Sequence, residues 1–251
     1  SGARCILLKT SEYVKDENFY YLARLDKALD LNAFLVMRRG RKPLVLANEL
    51  EYRALLGNGN FAVKRFRTGK ELEHLLRRSA SGKVGMNYCK TSVASMKGIR
   101  KLLPGRKFTD VSRHLGMIRG IKTRDEVKKI TAACKAAEEL MNAVPDILKT
   151  GMAEKDLESK LEEMARRNGM KFSFSPIIAS GVNSSVPHHL TGQKNIGRGV
   201  LLVDLGVIYS GYCSDLTRTF FVGRATEEAK HAYSVVKKAQ DKAVSMMREG
   251  S

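Results

Sequence analysis

Apolar residues change period along this chain, and the period decides the element. Between Thr123 and Leu148 they step by three and four (Val127, Ile130, Cys134, Ala137, Met141, Val144, Leu148), which predicts one long amphipathic helix. Thr123 and Glu126 stand at its start with capping-box spacing, and Pro145 is expected to kink or restart it. A second helix is predicted from about Glu154 to Asn168, burying Leu157, Leu161 and Met164 before Gly169 stops it. A third, over about Thr226 to Glu249, is predicted to bury Ala229, Ala232, Val236, Ala239, Ala243 and Met246. Phe172 to Ala179 has strand character, broken or edged by Pro176.

Shorter segments alternate upstream. Ala33 to Met37 and Pro43 to Ala47 are apolar runs joined by Arg38-Arg39-Gly40-Arg41-Lys42, a hairpin with a charged loop. Asn48 caps a helix with Glu51 at the third helical position, Phe61 to Phe66 reads as a strand, and Gly69 to Arg78 as a helix with Leu72, Leu75 and Leu76 on one face. Val84 to Met86, a helix over Ser92 to Leu102, and Phe108 to Val111 complete the series. The pattern is an α/β domain with a mixed sheet, and its boundary is expected near Gly116 to Gly120.

The period shortens to two in Val200 to Gly223, where β-branched and aromatic runs flank Tyr209-Ser210-Gly211, a hairpin signature. Each run carries one acid, Asp204 and Asp215. With Tyr209 and Ser210 central in the turn the acids lie directly across from each other; with Ser210 and Gly211 central they are diagonal neighbours on one face. A three-residue loop puts them on opposite faces. Two carboxylates facing each other on a half-buried sheet repel, and a divalent cation taking oxygen ligands from both relieves the repulsion. For an arbitrary hairpin the plainer reading, one Asp paired with Arg218 or capping a turn, is the commoner. Upstream lies the polar loop Gly181 to His189, whose histidines either donate to a bound substrate or are simply solvated.

Composition adds three constraints. No run of eighteen apolar residues occurs, so no membrane span is expected. Cys5, Cys89, Cys134 and Cys213 are widely spaced with no Cys-x-x-Cys pair, and read as reduced, mostly buried thiols of a cytoplasmic protein. The formal charge is +19, and residues 1–118 hold 24 basic against 10 acidic residues, a net +14. A nucleic-acid or acidic-partner surface is one reading of that excess. A solvated basic face is favoured, because no recognised nucleic-acid motif accompanies it. His74 and His114 read as surface or structural histidines, and no glycine-rich nucleotide loop occurs.

Three segments together resemble the pita-bread metallopeptidases, in their proline-specific branch of Xaa-Pro dipeptidases (prolidases) and aminopeptidase P. They are Arg119-x-Ile121-Lys122-Thr123-x-x-Glu126-Val127-x-x-Ile130-x-x-Ala133, then Ser180-Gly181-x-Asn183-Ser184-x-x-Pro187-His188, and lastly Val203-Asp204-Leu205-Gly206 with Gly211-Tyr212-x-Ser214-Asp215-Leu216-Thr217-Arg218-Thr219. The resemblance implies an α/β (α+β) chain: a creatinase-like N-terminal mixed-sheet domain over 1–118, then the first αβ half of a pita-bread catalytic domain over 119–251. It implies two divalent metal ions, Mn²⁺ or Co²⁺ with Zn²⁺ as an option, held by two Asp, one His and two Glu. On this sequence it maps Asp204 and Asp215 as metal ligands, His188 as a catalytic, substrate-contacting residue, and Thr217 as a hydroxyl steadying Asp215. Xaa-Pro peptides are the implied substrates and a homodimer the implied full-length assembly.

The match is incomplete. Only His231 follows Asp215, within a helical pattern, and Glu227, Glu228 and Glu249 lie on that same helix, so two of five ligands are supplied. The chain is accordingly expected to lack the second catalytic half, to be inactive by itself, and to leave one face of its catalytic sheet uncovered. The competing reading is a non-catalytic pita-bread homologue that binds nucleic acid or protein through its basic N-terminal domain. Retention of both aspartates argues against it, and equally against a metal-free, creatinase-like hydrolase.

Overall fold

The strand at the centre of the first unit has no alternating pattern at all. The chain divides into two compact units, Ser1–Lys122 and Thr123–Ser251, and the computed structural model describes residues 2–25, 30–149 and 151–250. In the first unit β1 (Cys5–Thr10), β2 (Ala33–Arg38), β3 (Leu44–Ala47), β4 (Ala62–Arg65), β5 (Val84–Met86) and β6 (Phe108–Asp110) form one sheet of order β4-β3-β2-β1-β5-β6. β2 runs antiparallel to β1 and β3, and the other pairings are parallel. Successive residues of β1 serve opposite cores: Leu8 packs with Phe19, Leu35, Leu55 and Leu115, whereas Leu7 packs with Val36, Leu46, Leu76 and Ile99. A strand covered on both faces is apolar throughout, so Ile6-Leu7-Leu8 carries no period to read.

Helices α1 (Glu17–Ala23), α2 (Glu49–Leu55) and α5 (Ser112–Gly120) supply side chains to the first of those cores, and α3 (Gly69–Ser79) and α4 (Val93–Leu102) to the second. The start of α2 is capped as the sequence predicts, the Asn48 side chain accepting from the backbone N–H of Leu50 and Glu51; Thr68 likewise accepts from Glu71 at α3 and Ser92 from Ser95 at α4. Each such cap is worth about 1 kcal/mol. Neither β1 nor α1 is predicted above. α1 rests on Asp16, a fully buried cap whose carboxylate accepts from the Asn18 N–H and from the side-chain amides of Asn18 and Asn87. Burial without a cationic partner pushes its pKa up, against those hydrogen bonds. The segment Gly116 to Gly120, read as a boundary, is the last part of α5, and the division between units falls just beyond it.

The second unit contains α6 (Arg124–Ile147), α7 (Glu154–Arg167), β7 (Lys171–Phe172), β8 (Ile177–Ser180), β9 (Gly199–Leu205), β10 (Val207–Tyr209), β11 (Tyr212–Cys213), β12 (Leu216–Val222) and α8 (Glu227–Met246). One three-stranded sheet has the order β12-β9-β8 and a second the order β11-β10-β7, so the predicted strand 172–179 is two strands parted at Pro176. Thr123 and Glu126 form the capping box of α6, and Pro145 sits inside its last turn without ending it.

Three expectations need correction. The buried stripe of α6 is Ala133, Ala136, Ala137, Leu140, Met141 and Val144, so the prediction holds at Ala137, Met141 and Val144 but fails at Val127, which is 50% exposed, and at exposed Cys134. The sequence pattern followed the larger apolar residues, whereas alanines form much of what α6 contributes to the core that also holds Leu201, Val203, Leu205 and Val207. Helix α8 buries none of its residues, and its predicted core side, including Val236 and Met246, is exposed. An amphipathic period shows that a helix has an apolar side, not that the side is covered. Of the four cysteines only Cys5 is buried; Cys89, Cys134 and Cys213 are exposed. Among the described residues no helix is long and apolar enough to cross a membrane.

The placement of the α6 stripe is testable by urea unfolding. Leu140→Ala is expected to cost about 2–5 kcal/mol as a core truncation. Val127→Ala, at a half-exposed position, is expected to change stability by no more than about 0.5 kcal/mol.

Candidate active site

The turn of the β9–β12 hairpin settles which arrangement of the two acids is real. Ser210 and Gly211 have φ of 47° and 82°, and Tyr209 pairs with Tyr212 across them. Positive φ at both central positions is the two-residue turn whose twist suits a hairpin. Centring the turn one residue earlier would force Tyr209 into the left-handed region and leave glycine outside it, so the directly opposed arrangement is excluded. In the resulting register Asp204 stands across from Thr217, and Asp215 lies diagonally, two residues before Thr217.

Alternation fixes the face. Val203 and Leu205 are wholly buried in the core of this unit, and Asp204 between them turns outward, half-buried. On the other strand Ser214 is buried and Leu216 packs on the same core, leaving Asp215 and Thr217 outward and exposed. Both acids therefore share the face turned away from the core. The Thr217 hydroxyl donates to Asp204 Oδ1 at 2.7 Å. This corrects the expectation that Thr217 serves Asp215: being directly across the ladder, it reaches the opposite strand's acid. Arg218 is not the partner of either acid; its guanidinium donates to the Thr217 carbonyl at 2.9 Å.

Between the two sheets the hairpin pinches at Gly206. A Cβ there would stand 1.9 Å from the Ser214 carbonyl oxygen and 2.4 Å from Ser173 Oγ, so only glycine fits. The pinch is tied by Ser173, whose N–H donates to the Gly206 carbonyl at 2.9 Å and whose hydroxyl donates to the Ser214 carbonyl at 3.0 Å. Ser214 Oγ accepts from the Val207 N–H at 3.0 Å. These bonds hold Asp215 in place, since it is the next residue after Ser214.

His188 is exposed in the turn that follows Pro187 and has φ of 56°, a left-handed conformation uncommon for a non-glycine residue. Its neighbour behaves differently from the solvated loop residue expected. His189 Nε2 lies 2.9 Å from Glu154 Oε2. Glu154 is the first residue of α7, its side chain 0% exposed. Its Oε1 also accepts from the Ser180 N–H at 2.7 Å and the Asn183 side-chain amide at 2.9 Å. One buried carboxylate thus ties the end of β8, the loop at 181–185 and His189 to the start of a helix, where the dipole favours negative charge. Burial raises the Glu154 pKa, but the hydrogen bonds from Ser180, His189 and Asn183 outweigh it and hold the acid below the usual carboxylate range. Sequence reading missed Glu154, which looked like an ordinary helix start.

Asp204 and Asp215 form no ion pair with Lys or Arg among the described residues, so the chemistry of the pair suits a hard divalent cation as two oxygen donors. Among the described residues no group of three or more His, Cys, Asp or Glu could hold a metal ion.

Comparison with known proteins places this geometry. Residues 128–251 match metallopeptidase family M24. The Xaa-Pro dipeptidase of Pyrococcus horikoshii is 32% identical over 238 residues, 94% of this chain and 66% of the relative. The Xaa-Pro dipeptidase of Pyrococcus furiosus is 30% identical, covering 94% and 67%. Among solved structures, the Pyrococcus horikoshii prolidase superposes with a TM-score of 0.84 at 28% identity, over 96% of this chain and 67% of that one. The X-Pro aminopeptidase of Thermotoga maritima superposes with a TM-score of 0.88 at 23% identity, over 98% and 70%, a likeness of fold.

The fold is that of a creatinase-like N-terminal mixed-sheet domain followed by part of a pita-bread domain. The chain belongs to metallopeptidase family M24, on the branch of the Pyrococcus Xaa-Pro dipeptidases. Membership implies divalent metal ions. The chain spans about two thirds of the length of the Pyrococcus relatives it matches.

Glu154→Gln keeps the shape and removes the charge. Because the folded pKa is depressed, the carboxylate's stabilisation is present above the unfolded value of about 4.3 and is lost as pH falls through the folded pKa. The variant is therefore expected to lose about 1–3 kcal/mol at pH 7 in urea unfolding, with the gap closing towards pH 3. A gap independent of pH would contradict the ionised form.

Proposed function

We propose that this protein hydrolyses the peptide bond between an N-terminal residue and proline, with Asp204 and Asp215 among the ligands of two divalent metal ions. The observation that carries the reading is the pair of outward carboxylates on adjoining strands, without cationic partners and with Asp204 held by the Thr217 hydroxyl. When bound, the metal ions supply an activated water and polarise the scissile carbonyl. Asp204 and Asp215 would hold them, and Thr217 would keep the Asp204 carboxylate in its ligating orientation. Exposed His188, presented by the loop that Glu154 anchors, would donate to the substrate or to the charge that develops on it. Mn²⁺ or Co²⁺ is the proposed metal, a homodimer the proposed assembly and the cytoplasm the proposed compartment. The domain assignment proposed is 1–118 for the N-terminal domain and 119–251 for the catalytic part.

The two acids count against a purely binding role, which has no use for unpaired carboxylates on one face. The test is hydrolysis of Gly-Pro and of a longer Ala-Pro peptide by the full-length protein with added Mn²⁺. Asp204→Asn and Asp215→Asn are each expected to abolish turnover and weaken Mn²⁺ binding in calorimetry. Thr217→Val is expected to lower metal affinity or activity about 10- to 100-fold. Turnover undiminished in Asp204→Asn would overturn the assignment.

A further inference from the structure

The basic excess of the first unit is not spread over its surface. Strand directions put the starts of β1, β3, β4, β5 and β6 and the end of β2 at one end of the six-stranded sheet, as the pairs Cys5↔Arg38, Leu44↔Ala62, Cys5↔Val84 and Val84↔Phe108 show. Apart from the uncharged α2–β4 loop at residues 56–61, the connections that turn there are basic. The β2–β3 turn is Arg38-Arg39-Gly40-Arg41-Lys42, α4 leads into β6 through Arg100-Lys101 and Arg106-Lys107, and α3 ends on Arg77-Arg78. Backbone bonds stitch the strand starts side by side: Arg4 N–H donates to the Lys83 carbonyl at 2.8 Å, and Val84 N–H to the Lys107 carbonyl at 2.9 Å. Cys5 pairs with Arg38 on one side and with Val84 on the other, and Val84 pairs with Phe108, two residues beyond Arg106.

Acids are absent from residues 2–6, 38–44, 77–84 and 100–108. Arg77 pairs with Glu73 back on its own helix, and Arg39, Arg41 and Arg106 are exposed with no ion pair among the described residues. The unit's acids gather at the other end, where Glu17 meets Lys90, Glu49 meets Arg65 and Arg67, and Asp110 receives bonds from Ser112 and the Tyr88 N–H. Charge on a randomly solvated face would find partners in this way. At the basic end Arg39, Arg41 and Arg106 have no such ion pair among the described residues.

From β3 to β6 this rim spans four strand spacings, roughly 20 Å. An equal length of nucleic-acid duplex carries about a dozen phosphates, one per roughly 1.7 Å of axis. Arginine, whose planar fork matches phosphate oxygens, dominates the rim. Residues 38–42 and 100–107 contain no aromatic side chain on which a base of a single strand could stack. Leu102 and Leu103 turn into the core, so no apolar side chain of that segment is left to enter a bilayer. We propose that this end of the sheet binds the sugar-phosphate backbone of double-helical nucleic acid, DNA and RNA alike, without reading sequence. The inference stands apart from the peptidase reading.

Fluorescence anisotropy with labelled 20-base-pair DNA and RNA duplexes tests it. Binding is expected at 50 mM salt for both, within tenfold of each other, and is expected to weaken about 10³-fold by 200 mM, as for six phosphate contacts. Substituting Arg39→Glu, Arg41→Glu and Arg106→Glu together, all exposed, is expected to weaken binding at least 30-fold and flatten the salt dependence. The same charge change on exposed residues of the second unit, Arg224→Glu, Lys238→Glu and Lys242→Glu, is expected to cost less than threefold. Equal losses in both triple variants would reduce the effect to net charge and overturn the proposal. So would absence of binding at 50 mM salt, a preference beyond 100-fold for one duplex type, or tighter capture by phosphatidylserine vesicles than by duplex.

Discussion

Val203 and Leu205 are wholly buried, and a strand can bury both only by turning the residue between them outward. That residue is an aspartate. The same alternation runs through Ser214, Asp215 and Leu216 on the returning strand, so burying the core and displaying the acids are one event. The tight turn at Ser210 and Gly211 sets which outward residues become neighbours, and the pinch at Gly206 sets where the hairpin leaves one sheet for the next. A one-residue slip would bury two carboxylates, at a cost of several kcal/mol each. The placement of the acids is therefore protected by the hydrophobic core behind them.

The loop bearing His188 is organised by a different force. Here nothing apolar is at stake; a single carboxylate, Glu154, gathers donors from Ser180, Asn183 and His189. A group buried with its hydrogen bonds satisfied gives a polar loop one geometry, whereas the same group deprived of a donor would leave a charge stranded. The helix start that carries Glu154 belongs to the core through Leu157 and Leu161, so the loop inherits its position from packing two steps away.

Much of this could be read from the residues, and the failures share a cause. Caps, turns and half-buried strands were legible because they depend on neighbours in sequence: Asn48 and Thr123 announced their helices, and Gly211 its turn. The pairing of Asp204 with Thr217 followed once the turn was known. What was hidden depends on partners far along the chain. β1, covered on both faces, shows no alternation; α6 meets its sheet through small residues that a hydrophobic pattern undervalues; and Glu154 is defined by groups 26 to 35 residues away. α8 misled in the opposite sense, since its period states a capacity for burial that none of its residues realises. The charge was visible as a number, but its collection at one end of a sheet required strand directions.

The two sheet systems end very differently at their margins. The six-stranded sheet stops at β4, where Lys64 and Arg65 stand on a four-residue strand, and at β6, three residues long. Short, charged borders of this kind discourage another molecule from adding a strand. β12 also ends its sheet, yet it is seven residues long, carries a single charge at Arg218, contains no proline, and includes Phe220, Phe221 and Val222. Its outer row of amide and carbonyl groups offers a template for backbone pairing, so any self-association of this chain has its natural seed there rather than in the larger, better defended sheet.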